Sequence, residues 1–246
     1  MAILYGIHAV EEALAAGRPL ERVLVARGRG GRRVEEAVRG ARAANIPVRF
    51  VGRAELDRLA GSPDHQGVAA VVGAKRYVDL ENLLAAARPP ALFLLLDSVE
   101  DPRNLGAILR TAYCAGVDGV VLPERRAAGI TPAAEKVSAG ASAYIAVARV
   151  TNLGRALERL KEAGCWLVGL DERAPQVFTD ADFTSPVGIV LGGEGRGLHE
   201  HVRAKCDFVV SIPTVGSITS LNVSVVAGVV LYEALRQRRA KGVLEP

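Results

Sequence analysis

Hydrophobic and polar positions in the first 76 residues alternate between helical and strand spacing. Helix-like and strand-like segments follow one another at His8–Ala16, Arg22–Ala26, Val34–Ala44, Val48–Val51, Ala54–Ala60 and Gly67–Val72. This order predicts a small α/β domain over residues 1–76. The next stretch, residues 77–90, ends in two prolines and is predicted to be a linker to a second domain.

From residue 91 to residue 246 the strand-like segments are continuous apolar runs, as in strands that helices cover on both faces. The predicted strands are Ala91–Leu96, Gly119–Leu122, Tyr144–Val150, Cys165–Leu170, Val187–Leu191 and Phe208–Ile212. Helices are predicted over Asn104–Ala115, Leu153–Ala163 and Asn222–Arg239. The alternation predicts an α/β fold with a doubly wound, mostly parallel sheet.

The last predicted helix is apolar around most of its circumference. Its apolar positions are Val225, Val226, Val229, Val230, Leu231 and Leu235. A helix of this kind is buried on more than one face. We expect a second subunit to cover the face that the rest of the chain leaves open.

The composition narrows the class of protein. With 50% hydrophobic and 24% charged residues over 246 positions, the chain suits a folded protein and not a disordered or collagen-like one. It contains no apolar run of the roughly 18 residues that a membrane span needs, and no secretory signal pattern. Cys114, Cys165 and Cys206 lack CxxC or zinc spacing, so we expect a cytoplasmic protein with buried free thiols and no metal site.

Positive charge is concentrated at the N-terminal end. Residues 1–76 carry 13 Lys and Arg against 8 Asp and Glu, a net of +5, whereas the remainder has a net of −1. Arg27, Arg29, Arg32 and Arg33 lie with three glycines in one short stretch. Guanidinium groups on a loop suit the phosphate backbone of a nucleic acid, although a solvated loop of an arginine-rich protein has the same composition.

Three segments rich in turn-forming residues follow predicted strands, where open α/β sheets bind their ligands. They are Leu96–Ala112, Ile189–Leu198 and Ile212–Ser224. The glycines of the second segment do not fit GxGxxG, and the chain contains no GxxxxGK[ST], so Rossmann dinucleotide binding and P-loop hydrolysis are not expected. What remains is a loop whose backbone lies close to a ligand, or a plain tight turn.

Together, the three segments closely resemble the motifs of the SpoU-type (TrmH) family of RNA ribose 2′-O-methyltransferases. The matching positions are Asn104, Arg110 and Thr111, then Gly192–Leu198, then Ile212-Pro213 and Ser220–Ser224. Tyr5–Val10 and His65–Ala69 resemble the family's N-terminal substrate-binding domain. The likeness is nearest to the subgroup that methylates a guanosine in large-subunit (23S) ribosomal RNA.

The resemblance implies a fold and a cofactor that hydropathy does not show. A deep trefoil knot would bring the glycine loop, the loop after residue 212 and the start of the last helix into one pocket. S-adenosylmethionine would bind there through main-chain groups at Gly192, Ile212 and Leu221, where glycine leaves space for the adenosine. The family also implies a homodimer, with active sites near the interface. Methyl transfer from a sulfonium needs no metal ion.

The resemblance also implies five catalytic positions: Asn104, Arg110, Glu194, Ser220 and Asn222. Arg110 would bind the RNA and either accept or relay the hydroxyl proton, or stabilise the developing alkoxide. We favour the second role, because an arginine is a very weak base. Asn104 and Ser220 could instead be helix caps. Glu194 is expected to pair with Arg110, to contact the substrate or to be solvent-exposed.

The histidines carry less information. His8 and His65 are expected to be structural or RNA-facing, and His65 joins the four arginines as an RNA-binding candidate. His199 and His201 are expected on the surface. Two other functions stay open: a transfer RNA 2′-O-methyltransferase has the same three motifs, and a non-catalytic RNA-binding or ribosome-assembly protein can share the fold.

Overall fold

The computed structural model describes residues 2–15, 17, 19–28, 31–72, 77–195, 197–217 and 220–243. The chain divides into two units, residues 1–76 and residues 77–246. Each unit has its own sheet and its own hydrophobic core.

The first unit is a four-stranded sheet with helices on both faces. Its elements are β1 (Ala2–Tyr5), α1 (Ile7–Ala15), β2 (Leu20–Ala26), α2 (Arg32–Ala43), β3 (Val48–Val51), α3 (Arg53–Ala60) and β4 (Val68–Val72). The strand order is β1-β4-β2-β3, with β2 and β3 parallel and β4 antiparallel to both its neighbours. Val68 and Ala70 pack with α1 and α2, whereas Ala69 and Val71 pack with α3. The all-apolar β4 is therefore buried on both faces.

The second unit is built on a seven-stranded sheet. Its strands are β5 (Leu92–Asp97), β6 (Gly119–Pro123), β7 (Ala146–Val150), β8 (Trp166–Leu170), β9 (Gln176–Val177), β10 (Val187–Gly192) and β11 (Phe208–Ser211). They lie in the order β7-β6-β5-β10-β8-β11-β9, and the pairings between their described residues are all parallel. The predicted α/β class with a mostly parallel sheet is confirmed.

Helices cover both faces of this sheet. They are α4 (Leu80–Ala85), α5 (Pro102–Cys114), α6 (Pro132–Val137), α7 (Ala141–Tyr144), α8 (Leu153–Glu162), α9 (Glu200–Arg203) and α10 (Val223–Ala240). Successive residues of β5 point to opposite faces: Leu94 and Leu96 join the core that contains α5 and α10, whereas Phe93 and Leu95 join the core that contains α8. None of the helices in the described ranges has the length and apolarity of a bilayer-spanning segment.

A buried arginine fastens the end of α10 to the sheet. Arg238 is 2% exposed. Its guanidinium donates to four carbonyl oxygens just before β5 and β10, at 2.6–3.1 Å, namely those of Pro90, Ala91, Phe183 and Ser185. Burial lowers the pKa of Arg238, but a guanidinium stays protonated in proteins. The side chain therefore holds the C-terminal helix against the starts of two central strands.

The structure differs from the sequence predictions mainly at short elements. Residues 77–90, predicted as a linker, belong to the second unit and contain α4, and Tyr144 ends a helix where a strand was predicted to begin. The other helices of four to six residues, α6, α7 and α9, are too short to show helical periodicity in the sequence. Cys114 is exposed at the end of α5, contrary to its predicted burial, whereas Cys165 is buried.

Candidate active site

A cleft of about 550 Å³ lies at the carboxyl ends of β8, β10 and β11. This volume is within the range of about 300–1,000 Å³ typical of small-molecule sites. Apolar side chains and glycine backbone form much of its wall, including Leu170, Leu191, Gly192, Gly193, Ile212, Leu221, Val223 and Val226. The three predicted cofactor positions, Gly192, Ile212 and Leu221, therefore line one cleft.

The glycine loop, residues 192–197, doubles back on itself at the end of β10. Gly197 N–H donates to the Gly193 carbonyl oxygen at 3.2 Å. A Cβ atom at Gly192 would lie 2.0 Å from the carbonyl carbon of Gly197, and one at Gly193 would lie 1.9 Å from the carbonyl oxygen of Ser98. Glycine is required here because the two arms of the loop touch each other and the turn after β5. The sequence interpretation explained Gly192 by space for the adenosine; the structure adds a second reason, which is the backbone contact.

Asp97, the last residue of β5, holds the chain where it leaves the glycine loop. Its carboxylate is 5% exposed and accepts the His199 N–H at 2.8 Å, and Nδ1 of the His199 ring lies 3.0 Å from the same oxygen. His199 is therefore half-buried and paired with a buried acid, so its predicted place on the surface is wrong. The contact joins residues that are 102 positions apart.

Three of the five predicted catalytic residues form a chain of hydrogen bonds at the cleft. The Asn104 amide donates to the Glu194 carboxylate, and the Asn222 amide donates to Asn104 Oδ1 at 3.1 Å. Asn222 Oδ1 accepts the Ser224 N–H at 2.9 Å, which makes Asn222 the N-cap of α10. This chain, which we call the Glu194–Asn104–Asn222 chain, connects all three motif segments.

The helix caps differ from those considered in the sequence. Asp101, not Asn104, caps α5: its carboxylate accepts the Arg103 N–H at 2.8 Å, and Pro102 occupies the first helical turn. Ser220 lies before the cap of α10 and lines the cleft as an exposed residue. Neither Asn104 nor Ser220 is therefore a capping residue.

Arg110 is exposed on α5 and is not among the residues that line the cleft. Within the described part of the chain its side chain has no hydrogen bond or ion pair, and Glu194 binds Asn104 instead. Six residues of an α-helix span a rotation of roughly 600°. Arg110 and Asn104 consequently lie on different sides of α5, and Arg110 stands apart from the other four predicted positions.

One wall of the cleft is absent from the sequence predictions. Asp171, Glu172 and Arg173 line it directly after β8. Asp171 is buried and accepts hydrogen bonds from Arg173 at 2.7 and 2.9 Å and from Arg203 at 3.1 Å. The hydrogen bonds from Arg173 lower the pKa of Asp171 to about 2. Only their position could have indicated these residues in the sequence, because they follow a predicted strand and the carboxyl ends of neighbouring parallel strands meet at one edge of a sheet.

In the first unit, the two family-like segments are joined by hydrogen bonds. The Gln66 side chain accepts the Ile7 N–H at 3.2 Å, at the start of α1. His65 is 2% exposed, with Nδ1 accepting the Gly67 N–H at 2.9 Å and Nε2 donating to Asp57 at 2.7 Å. Since the ring is buried and both nitrogens are engaged, His65 holds the turn before β4. Its predicted direct contact with RNA does not fit this position.

The predicted RNA-binding arginines differ in their surroundings. Arg27 is exposed and has no ion pair with another described residue. Arg32 Nε lies 3.0 Å from the Glu36 carboxylate, and Arg33 lies 2.9 Å from the His8 ring. Arg29 is outside the described residues. An exposed ion pair contributes only about 0–1 kcal/mol, so the Glu36 contact leaves Arg32 able to exchange its partner for a phosphate.

Two family models match the chain. The model described as the SpoU rRNA Methylase family matches residues 91–232, and the model described as RNA 2′-O ribose methyltransferase substrate binding matches residues 3–78. The chain belongs to the SpoU methylase family. This SpoU methylase carries, among its described residues, no group of three or more His, Cys, Asp or Glu side chains placed to hold a metal ion.

Relatives and solved structures agree with the family. YacO of Bacillus subtilis, which is named for the TrmH family of tRNA/rRNA methyltransferases, is 42% identical over 240 residues, 96% of each chain. The SpoU methyltransferase AviRb from Streptomyces viridochromogenes, crystallised with AdoMet, has a TM-score of 0.78 and 29% identity over 97% of this chain and 90% of its own. An AdoMet-bound rRNA methyltransferase from Sinorhizobium meliloti shares the fold, with a TM-score of 0.80, 24% identity and coverage of 99% and 88%.

This SpoU methylase is an S-adenosylmethionine-dependent RNA 2′-O-ribose methyltransferase with an N-terminal substrate-binding domain. The cleft fits the cofactor, because its apolar side chains suit an adenine and the glycines in its lining, Gly192, Gly193, Gly195 and Gly197, offer main-chain groups. The trefoil knot stays a prediction.

Proposed function

We propose that this SpoU methylase transfers a methyl group to the 2′-hydroxyl of a guanosine in large-subunit ribosomal RNA. The observation that carries the proposal is the meeting of the three motif segments at one cleft, through the Glu194–Asn104–Asn222 chain. The net charge of +5 in residues 1–76 supports capture of a polyanion by the N-terminal unit. Guanosine and ribosomal RNA follow from the likeness to the ribosomal subgroup.

We assign Gly192, Ile212 and Leu221 to the cofactor. Ile212 and Leu221 supply apolar surface for the adenine, and the main chain beside Gly192 can pair with its polar edge. S-adenosylmethionine, when bound, supplies an electrophilic methyl group on a sulfonium. The task of the residues is therefore to orient the methyl group and the hydroxyl. Orientation by itself can lower the barrier by roughly 7–11 kcal/mol in favourable cases.

We assign Asn104, Glu194 and Asn222 to positioning of the ribose. Hydrogen bonds hold the Glu194 carboxylate in place before any substrate arrives, and preorganised polar groups are the ones that act effectively in a transition state. Ser220, exposed at the same cleft, adds a hydroxyl that can donate or accept.

Arg110 is assigned to the RNA itself. Its guanidinium has no acidic partner among the described residues, so it is available to bind the RNA phosphate beside the reacting ribose. From that phosphate, outside the cleft, it would stabilise the negative charge that develops as the 2′-hydroxyl releases its proton to solvent water and takes up the methyl group that leaves the sulfonium. A role as the proton acceptor is disfavoured, because the pKa of an arginine exceeds about 12.

Capture of the RNA is assigned to the N-terminal unit, through Arg27, Arg29, Arg32 and Arg33. Contacts of this kind are made to phosphates and carry no base specificity. His65 is left out of this set because it is buried.

A homodimer completes the proposal. Val225 and Tyr232 of α10 are 49% and 52% exposed, and residues seven apart lie on the same side of an α-helix. We expect a second copy of the chain to cover this side. Light scattering should show a dimer for the wild type and a monomer for Val225→Asp; a monomeric wild type contradicts the assignment.

The decisive experiment is a map of 2′-O-methyl groups in ribosomal and transfer RNA from cells with the gene, without it, and with an Asn104→Ala copy. The proposal expects one guanosine in large-subunit ribosomal RNA to lose its methyl group in the last two strains. If a transfer RNA loses its methyl group instead, that RNA is the substrate, in line with the name of the YacO relative. Binding of S-adenosylmethionine without any lost methyl group would favour a non-catalytic RNA-binding protein.

A further inference from the structure

A second cleft, of about 220 Å³, lies in the N-terminal unit at the carboxyl ends of the parallel strands β2 and β3. The chain segments that form it are fastened together by backbone hydrogen bonds. Ala26 N–H donates to the Gly67 carbonyl oxygen at 2.9 Å, and Arg27 N–H donates to the Val51 carbonyl oxygen at 2.8 Å. The cleft is therefore built on three adjacent strands and not on a single loop.

Two arginines from different segments line this cleft. Arg27 follows β2, and Arg53 begins α3. Both are exposed, neither has an ion pair with another described residue, and the described lining includes no carboxylate side chain. Two nearby acids are engaged by other side chains, Glu55 by Arg49 at 3.4 Å and Asp57 by His65 at 2.7 Å. The cleft thus combines two guanidinium groups that pair with no described carboxylate, on a concave surface where their fields add.

The segment before β4, which also lines the cleft, is held by polar contacts. His65, which lines the cleft, is fixed between the Gly67 N–H and Asp57. Gln66 and Gly67 have left-handed backbone φ values of 55° and 87°. This is the segment that resembles the family's substrate-binding domain. Its buried contacts do not read RNA; they fix the part of the lining formed by His65, Gln66 and Gly67.

The size and charge of the cleft determine what it can bind. Its volume is below the roughly 300 Å³ at which pockets for whole small molecules begin. Two planar guanidinium forks match the oxygen geometry of a phosphate. Building on the proposed function, we propose that this cleft binds a single phosphodiester group of the RNA substrate between Arg27 and Arg53. Arg53 is absent from the sequence predictions, which followed the arginine-rich stretch only.

The test uses the full chain with Arg27→Gln, Arg53→Gln and the double variant. Arg58→Gln is the matched control, because Arg58 is exposed on the same helix, has no ion pair in the described ranges and does not line the cleft. Affinity for unmethylated large-subunit ribosomal RNA, prepared from cells without the gene, is measured at several salt concentrations.

We expect each single variant to weaken binding about tenfold and to reduce the log–log salt slope by roughly 0.7–0.9, the value for one phosphate contact. The double variant should be little weaker than either single one, because both substitutions remove the same contact. Arg58→Gln should change the affinity much less.

Three results would overturn the proposal. One is a change no larger than that of Arg58→Gln, and a second is full additivity, which means two separate contacts. Binding of AMP that the double variant loses, with RNA affinity unchanged, would assign the cleft to a free nucleotide and also overturn it. Failure of the proposed function is seen separately, as absence of methyl transfer to ribosomal RNA by the wild type.

Discussion

Gly193→Ala tests whether the glycine loop forms the wall of the cofactor cleft. The added Cβ atom would lie 1.9 Å from the carbonyl oxygen of Ser98 and 2.7 Å from its carbonyl carbon. Because Cβ contacts below 3.0 Å are essentially never observed, the loop must move by about 1.1 Å, the difference between this limit and the distance of 1.9 Å to the oxygen. The obstacle is backbone, so no change of rotamer relieves it. Overpacking of this kind costs about 1–3 kcal/mol, and a displacement of about 1 Å at a reacting site can cost roughly 100-fold in rate.

We therefore expect the Kd for S-adenosylmethionine, measured by calorimetry, to rise roughly 10- to 100-fold, and single-turnover methyl transfer to fall about 100-fold. Gly164→Asn is the control. A Cβ atom there would meet nothing within 4 Å, asparagine tolerates the left-handed φ of 85° at this position, and the residue does not line the cleft. Circular dichroism confirms that both variants are folded. Wild-type cofactor affinity in folded Gly193→Ala would refute the reasoning, since the loop would then be only a turn.

Three further predictions follow from individual side chains. Arg110→Ala should lower kcat at least about 100-fold with cofactor affinity nearly unchanged, the scale of losing one electrostatic donor to the transition state; single-turnover transfer within a few-fold of wild type contradicts it. Arg238→Met should lower the free energy of unfolding by roughly 3 kcal/mol, because four carbonyl oxygens lose a charged donor. Thermal denaturation should then show a Tm about 10 °C lower, and an unchanged Tm would rule this role out. Cys165 and Cys206 should resist a thiol reagent at pH 8 in the folded protein, because burial raises both thiol pKa values, that of Cys206 to about 12, and only the thiolate reacts. Mass spectrometry checks this, and rapid labelling of either one would contradict it.

The class of the fold could be predicted from the sequence because a strand that is buried on both faces is a continuous run of apolar residues. All but the last residue of β5 and every residue of β4 are apolar, and each predicted strand of the second unit corresponds to a strand within one or two residues at either end. Motif resemblance selected three cofactor candidates and five catalytic candidates, and all of them except Arg110 lie at or beside one cleft.

The partners of those residues could not be predicted from the sequence, because they are set by strand order. The sheet places β10 between β5 and β8, which brings the turn after β5 against the glycine loop. Asn104 thereby meets Asn222 across 118 positions, while Asp101 takes the capping role that was considered for Asn104. The wall after β8 was missed for the same reason, since its residues carry no motif of their own.

Local pattern thus determined which segments are strands, which loops carry glycines and where the positive charge lies. Tertiary structure alone decided what each polar group pairs with: Asp97 with His199, His65 with Asp57, and Arg238 with four carbonyl oxygens. It also decided why Gly192 and Gly193 must be glycines, since their neighbours are backbone atoms of Gly197 and Ser98. The physical reason is the distance along the sequence over which each feature is set. Periodicity reflects which face of a strand or helix is buried, so it is visible among neighbouring residues. A hydrogen bond or a close backbone contact needs a partner that only the folded chain brings near.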